Sequence, residues 1–144
     1  MFVTRIVAAL CALIPVVGLG VYLGYYADFS YDLAPLNADD RREVTGCYKW
    51  GGYTIEADDN LLKFFRGKEL IMQGTASYQR SRDVRVTSEI EFRLDPRFMT
   101  IEAIHAPGAQ TYIHTTRLGS MPFFRVYDRN PPHGRSVEFA KSAC

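Results

Sequence analysis

Between Val84 and Leu94 the chain alternates with period two. Val84, Val86, Ser88, Ile90, Phe92 and Leu94 are apolar or small, while Arg85, Thr87, Glu89, Glu91 and Arg93 are polar or charged. Such alternation predicts a half-buried strand, because successive side chains leave opposite faces of a pleated backbone. The preceding stretch carries Leu70, Met72, Gly74, Ala76 and Tyr78 on even positions and Gln73, Thr75, Ser77 and Gln79 between them. Pairing Met72 with Ile90 and Gly74 with Ser88 keeps the two apolar faces together.

Turn residues recur along the whole region after Gly46. They are Gly51-Gly52, Asp58-Asp59-Asn60, Gly67-Lys68, Ser81-Arg82-Asp83, Asp95-Pro96-Arg97, Pro107-Gly108, Gly119-Ser120 and Asn130-Pro131-Pro132. Strands this short with turns this regular predict an all-β domain, and short connections predict antiparallel neighbours. A tight Gly67-Lys68 turn sets Phe65 opposite Leu70, and the Asp58–Asn60 turn sets Tyr53 opposite Phe65. The inner face would then hold Tyr53, Ile55, Leu61 and Phe65, with Lys63 violating the pattern. Downstream, Met99 faces Leu94, Ile101 faces Phe92 and His105 faces Ser88. A loop over Ala106 to Gln110 then sets Ala103 against Ile113, and a Gly119-Ser120 turn sets Ile113 against Val126 and Thr115 against Phe124. Val137 and Phe139 belong to the last strand. The expected architecture is an eight-stranded antiparallel meander barrel, with a two-sheet sandwich as the alternative.

The region before Gly46 reads differently. From Ile6 to Ala27 no charged residue occurs, and Arg5 precedes the run. That length spans ~30 Å of hydrocarbon as a helix, with Tyr22, Tyr25 and Tyr26 at one interface. Residues 1–27 are therefore expected to be one N-terminal transmembrane anchor, with the amino terminus inside and the β domain extracytoplasmic. A signal peptide cleaved after Gly18-Leu19-Gly20 is the alternative and exports the domain equally. Residues 28–45 form a linker, in which Asn37 caps a short helix over Ala38 to Val44 with Asp39 and Asp40 in its first turn. Residues 46–144 form the β domain.

Composition sharpens this picture in two places. Aromatic residues make up 13% of the 144-residue chain, enough large rings to fill a small barrel. The net charge of +1 gives no electrostatic footprint for nucleic acid. Of the three cysteines, Cys11 falls in the apolar run. Cys47 and Cys144 flank the β domain, and barrel closure would bring them together as a disulfide across a loop of ~100 residues.

Candidate chemistry is sparse. His105 on the inner face and His114 on the outer face, opposite Glu102, cannot share a metal, and His133 lies in a Pro-Gly loop, so no zinc site is expected. His114, Glu102 and Arg125 read as one outward polar rung. There is no nucleophile elbow, no glycine-rich phosphate loop, and no motif for a cofactor. The interior row Gly74, Ser88, His105 and Thr111, with Tyr78 beside it, is small and polar where a barrel held for stability alone would carry bulk. It predicts a mouth cavity in which His105, Ser88, Tyr78 and Thr111 orient a ligand, with Arg80 and Arg82 at the rim for an anionic group. A bend at Gly74 explains the same row without a ligand. The expected function is a non-catalytic ligand-binding or envelope accessory protein. Its expected partners are the membrane through residues 1–27, a small apolar or anionic ligand, or an envelope protein, and not nucleic acid. The alternatives are a small hydrolase or isomerase at the barrel mouth and a structural envelope subunit.

Overall fold

A computed structural model describes residues 34–115, 121–128 and 134–144. The predicted apolar segment, its anchor or signal role and Cys11 lie outside the described residues, as does His133. Among the described residues no helix is long and apolar enough to cross a membrane.

The chain enters through β1 (Ala34–Pro35) and the short helix α1 (Ala38–Val44), followed by β2 (Gly46–Trp50), β3 (Tyr53–Ala57), β4 (Leu61–Arg66) and β5 (Glu69–Arg80). Four more strands complete the sheet: β6 (Val84–Asp95), β7 (Thr100–His114), β8 (Phe123–Tyr127) and β9 (Ser136–Ser142). Consecutive strands from β2 to β9 are antiparallel neighbours, and β9 returns to pair with β2. The result is a closed eight-stranded meander barrel, to which β1 adds a short pairing with the end of β5. Closure leaves no place for a two-sheet sandwich. It also carries Cys144 to Cys47, and the two form the expected disulfide with Cα atoms 5.2 Å apart.

The predicted sidedness of β6 holds. Val84, Val86, Ile90 and Leu94 of β6 are buried together with Tyr48, Ile55, Leu62, Phe64, Ile101, Ile113, Phe124, Val126 and Phe139. Large rings fill the interior: Tyr48 meets Phe124 edge-on at 4.7 Å, and Phe64 stands between Tyr53 at 5.6 Å and Phe92 at 5.4 Å.

The pairings differ from expectation in a regular way. Ser88 lies opposite Ala76 instead of Gly74, and the β5–β6 ladder ends there, so Met72 has no partner on β6. Ile101 faces Leu94 and His105 faces Ile90, because the β6–β7 turn takes Pro96 to Met99 instead of Pro96-Arg97 alone. Met99 therefore sits in the turn, and Ile113 faces Phe124, with Thr115 beyond the strand. Each of these slips is by two residues, which preserves the buried face and changes only the partner. Two corrections are of another kind. A bulge between Phe64 and Phe65 keeps Phe65 opposite Leu70 but turns Leu62 and Phe64 inward. Tyr53 then faces Arg66, and Lys63, no longer an exception, bonds Glu56 at 3.0 Å. Pro107-Gly108 is not a hairpin turn. β7 runs through it, with Ala106, Pro107 and Gly108 bulged opposite Glu89 and Gly108 at φ +81°. A residue with no N–H and one free of a Cβ suit such a bulge.

The helix forms as expected. The Asn37 side chain accepts the Asp40 N–H at 2.7 Å, and Asp39 and Asp40 occupy the first turn. Val44 is fully buried, and its carbonyl accepts the Tyr48 hydroxyl at 2.7 Å. Lys141 of β9 donates to the carbonyls of Arg42 and Glu43 at the other helix end. Asp40 pairs with Arg80 at 3.4 Å and Arg41 with Asp59 at 3.8 Å. One barrel end, where β3 turns into β4 and β5 into β6, is thereby capped. The opposite end carries the turns after β2, β4, β6 and β8.

Candidate functional site

Of the residues expected to line a mouth cavity, Tyr78 and Thr111 both lie opposite Val86, two residues from Ser88, while His105 lies apart. Ser88 is 4% exposed, and its hydroxyl donates to the Ile90 carbonyl at 2.9 Å while accepting the Ile90 N–H at 3.2 Å. It is consumed by the local backbone where β6 kinks. The Tyr78 ring packs against the core, and its hydroxyl donates to the Leu61 carbonyl at 3.3 Å. Burial, with the charges of Asp58 and Asp59, raises the Tyr78 phenol well above its ordinary value, so it stays a neutral donor. Arg80 is engaged by Asp40 at the capped end, and Arg82 is exposed in the neighbouring turn. His105 is exposed on β7, opposite Ile90 of β6. Thr111, half-buried opposite Val86, lines a narrow hollow between β6, β7 and β8.

Gly74 explains much of this arrangement. A Cβ there would stand 3.1 Å from Glu89 Cβ and 3.2 Å from Ile90 Cγ1. Its bareness lets β5 and β6 touch just where their ladder ends, below Ala76 and Ser88. Glu89 then supplies the missing bond: its Oε2 accepts the Thr75 N–H at 2.8 Å. Bonds from the Thr75 backbone and side chain hold the Glu89 carboxyl below the usual carboxylate range, aided by the charge of His105. A depressed carboxyl contributes stability above its unfolded pKa and loses it as pH falls through the folded value. Glu89→Gln is therefore expected to flatten the acid limb: urea midpoints of variant and parent, separated at pH 7, should converge as the pH falls below the carboxylate range.

The histidines do not share a site. His114 Nδ1 lies 3.1 Å from Asp83 Oδ2, Asp83 Oδ1 accepts the Thr115 N–H at 3.2 Å, and the imidazole stacks on Phe123 at 5.0 Å. The expected rung does not form, since Glu102 stands opposite Arg93 and Arg125 bonds Glu138 at 2.5 Å. Among the described residues no group of three or more His, Cys, Asp or Glu side chains is placed to hold a metal.

The open barrel end offers more. A hollow of about 430 Å³ lies beside the β6–β7 turn, lined by Arg93, Asp95, Arg97, Phe98, Glu102 and Asp128 among others. A second, of about 190 Å³, adjoins it along Phe92, Arg93, Tyr127 and Asp128. Arg93 is held bidentate by Glu91, through Nε at 2.6 Å and Nη2 at 2.9 Å, which raises its already high pKa. The Asp95 side chain accepts the Arg97 N–H at 2.9 Å and braces the turn. Phe98 is 76% exposed and Met99 45%. Leu70, Ile71 and Tyr127 are exposed at the same barrel end.

Sequence patterning missed this region because it took Phe98 and Met99 for the start of a strand. Their adjacency was the available signal, since two large apolar neighbours cannot both face inward in a pleated strand. Met99 also has φ +50°, a left-handed conformation that burdens any residue with a Cβ. Met99→Gly is expected to raise stability by about 1 kcal/mol, read as a higher urea midpoint with an unchanged slope.

Set against known proteins, the chain matches no family model, no curated protein and no solved structure.

Proposed function

We propose that this chain is an exported, membrane-tethered β-barrel domain with no catalytic role, which acts as an accessory protein by binding at the barrel end opposite the helix. The observation that carries the binding role is the hollow beside Arg97 and Phe98, where a large exposed ring and a guanidinium project from a braced turn. Arginine and aromatic side chains are enriched among the residues that dominate binding energy in protein interfaces. The interior does not compete for this role, because its polar members, Ser88 and Tyr78, spend their hydrogen bonds on the barrel itself.

Export rests on the disulfide, since such bonds persist in oxidising compartments. The uncharged run from Ile6 to Ala27 would supply the route and the tether. The described chain begins at the capped end, where Ala34 pairs with Arg80. Alkaline phosphatase fused after Cys144 tests export, because that reporter folds only outside the cytoplasm. The expected result is an active fusion whose activity disappears when residues 1–27 are removed. An inactive full-length fusion of normal abundance would overturn the export claim.

A further inference from the structure

We infer that the Cys47–Cys144 bond exchanges thiols through Cys144, which makes Cys144 the sulfur that joins a dithiol oxidoreductase and Cys47 the one that resolves the mixed disulfide. The two residues stand in unlike places. Cys47 is 4% exposed and lies between two ladders, opposite Glu56 of β3 on one side and Ser142 of β9 on the other. Cys144 is exposed beyond the end of β9. An exchanging thiolate must reach a sulfur in line with the bond it breaks, so access decides which of the two is attacked. The ladders close the flanks of Cys47, and Cys144 alone of the pair leaves room for a partner as large as a protein.

In the forming direction the Cys144 thiolate attacks the oxidoreductase's disulfide. A bond forms between Cys144 Sγ and one sulfur of the partner, and the partner's other sulfur leaves as a thiolate. The Cys47 thiolate then attacks Cys144 Sγ, forms the native bond and expels the remaining partner sulfur. Two thiols of this chain are oxidised, the partner's disulfide is reduced to a dithiol, and two protons pass from the former to the latter. The fold favours the resolving step. Pairing of Cys47 with Ser142, and the bond from Lys49 Nζ to the Ala143 carbonyl at 2.6 Å, hold Cys144 beside Cys47 and make the attack intramolecular. Reduction runs through the same atoms in reverse, with Cys47 as the leaving group.

This inference goes beyond export and binding and does not require either, since the asymmetry belongs to the folded barrel wherever it resides. The test uses the purified, oxidised full chain carrying Cys11→Ser, in mild detergent and without denaturant. The chain is exposed to reduced glutathione, quenched in acid at intervals, digested and read by mass spectrometry. The expected early product carries glutathione on Cys144 at least about tenfold more often than on Cys47. In urea beyond the unfolding transition, labelling of the two sites should agree to within about twofold, because access is then equal. Native adduct that falls mainly on Cys47, or equally on both, overturns the inference. So does a native chain that gains no adduct while the urea sample labels freely, because neither sulfur then admits a partner. A tenfold preference that persists in urea overturns it as well, and assigns the difference to local sequence instead of the fold.

Discussion

Replacing Cys47 and Cys144 together by alanine is expected to lower the stability of the oxidised protein by about 4 to 5 kcal/mol. The bond joins residues 97 apart in sequence, and in the loop-entropy model a closed loop of ~100 residues restricts the unfolded chain by that amount. Its position makes the loss visible in the fold as well as in the unfolded ensemble. β2 and β9 are joined by the pairs Cys47–Ser142, Tyr48–Lys141 and Lys49–Ala140. A chain terminus in such a short ladder would ordinarily fray. Here Lys49 also donates to the Ala143 carbonyl at 2.6 Å, so the last residues are tied twice. Urea titration of the double variant, and of the parent with and without a reductant, checks the magnitude. A difference below about 1 kcal/mol would mean that the unfolded chain is already compact enough for the bond to restrict little.

The disulfide, the helix with its Asn37 cap and the sidedness of β6 were legible in the sequence, and the physical reason is common to them. Each depends on a local or terminal feature: a cap residue beside its helix, an alternation along one strand, two cysteines at the ends of a closed meander. Pairing depends instead on the length of each turn, and a period-two pattern looks the same after a slip of two residues. Ser88 is the clearest case. Its place on the buried face is as expected, but its neighbour is Ala76 and not Gly74, because Gly74 marks where β5 and β6 part. Pro107-Gly108 shows the opposite failure. Its composition signals a turn, and only the length of β6 opposite it decides that the same residues form a bulge inside β7.

The candidate site suffered more than the fold. Parity assigned His105 and Thr111 to the interior with Ser88, yet past the bulge at Pro107-Gly108 His105 is exposed opposite Ile90, while Thr111 stays half-buried opposite Val86, near Ser88. Parity orders side chains about one strand, whereas a site requires several strands to bring their ends together. Phe98 and Arg97 become a site only through the turn that projects them and the neighbouring strand ends, including Asp128, that form its walls.

Phe64→Ala is expected to cost about 3 to 5 kcal/mol, the range for emptying a fully buried ring from a core that relaxes incompletely. Its consequences should be uneven. Phe64 stacks on Tyr53 at one face and meets Phe92 at the other, and no ladder joins β5 to β6 below Ala76 and Ser88. The lower part of β6 stays paired with β7 but has no ladder to β5, so this ring contact is what ties it to β4 across that gap. Native-state hydrogen exchange should show amides from Ile90 to Leu94 losing more protection than those from Val84 to Ser88, which keep their pairing with β5. A double-mutant cycle with Phe92→Ala isolates the contact: a coupling of about 0.5 to 1.5 kcal/mol is expected for such a ring pair. Uniform loss of protection with no coupling would mean that Phe64 contributes bulk alone, and that the pairing of β6 with β7 is enough to hold the open end of the barrel closed.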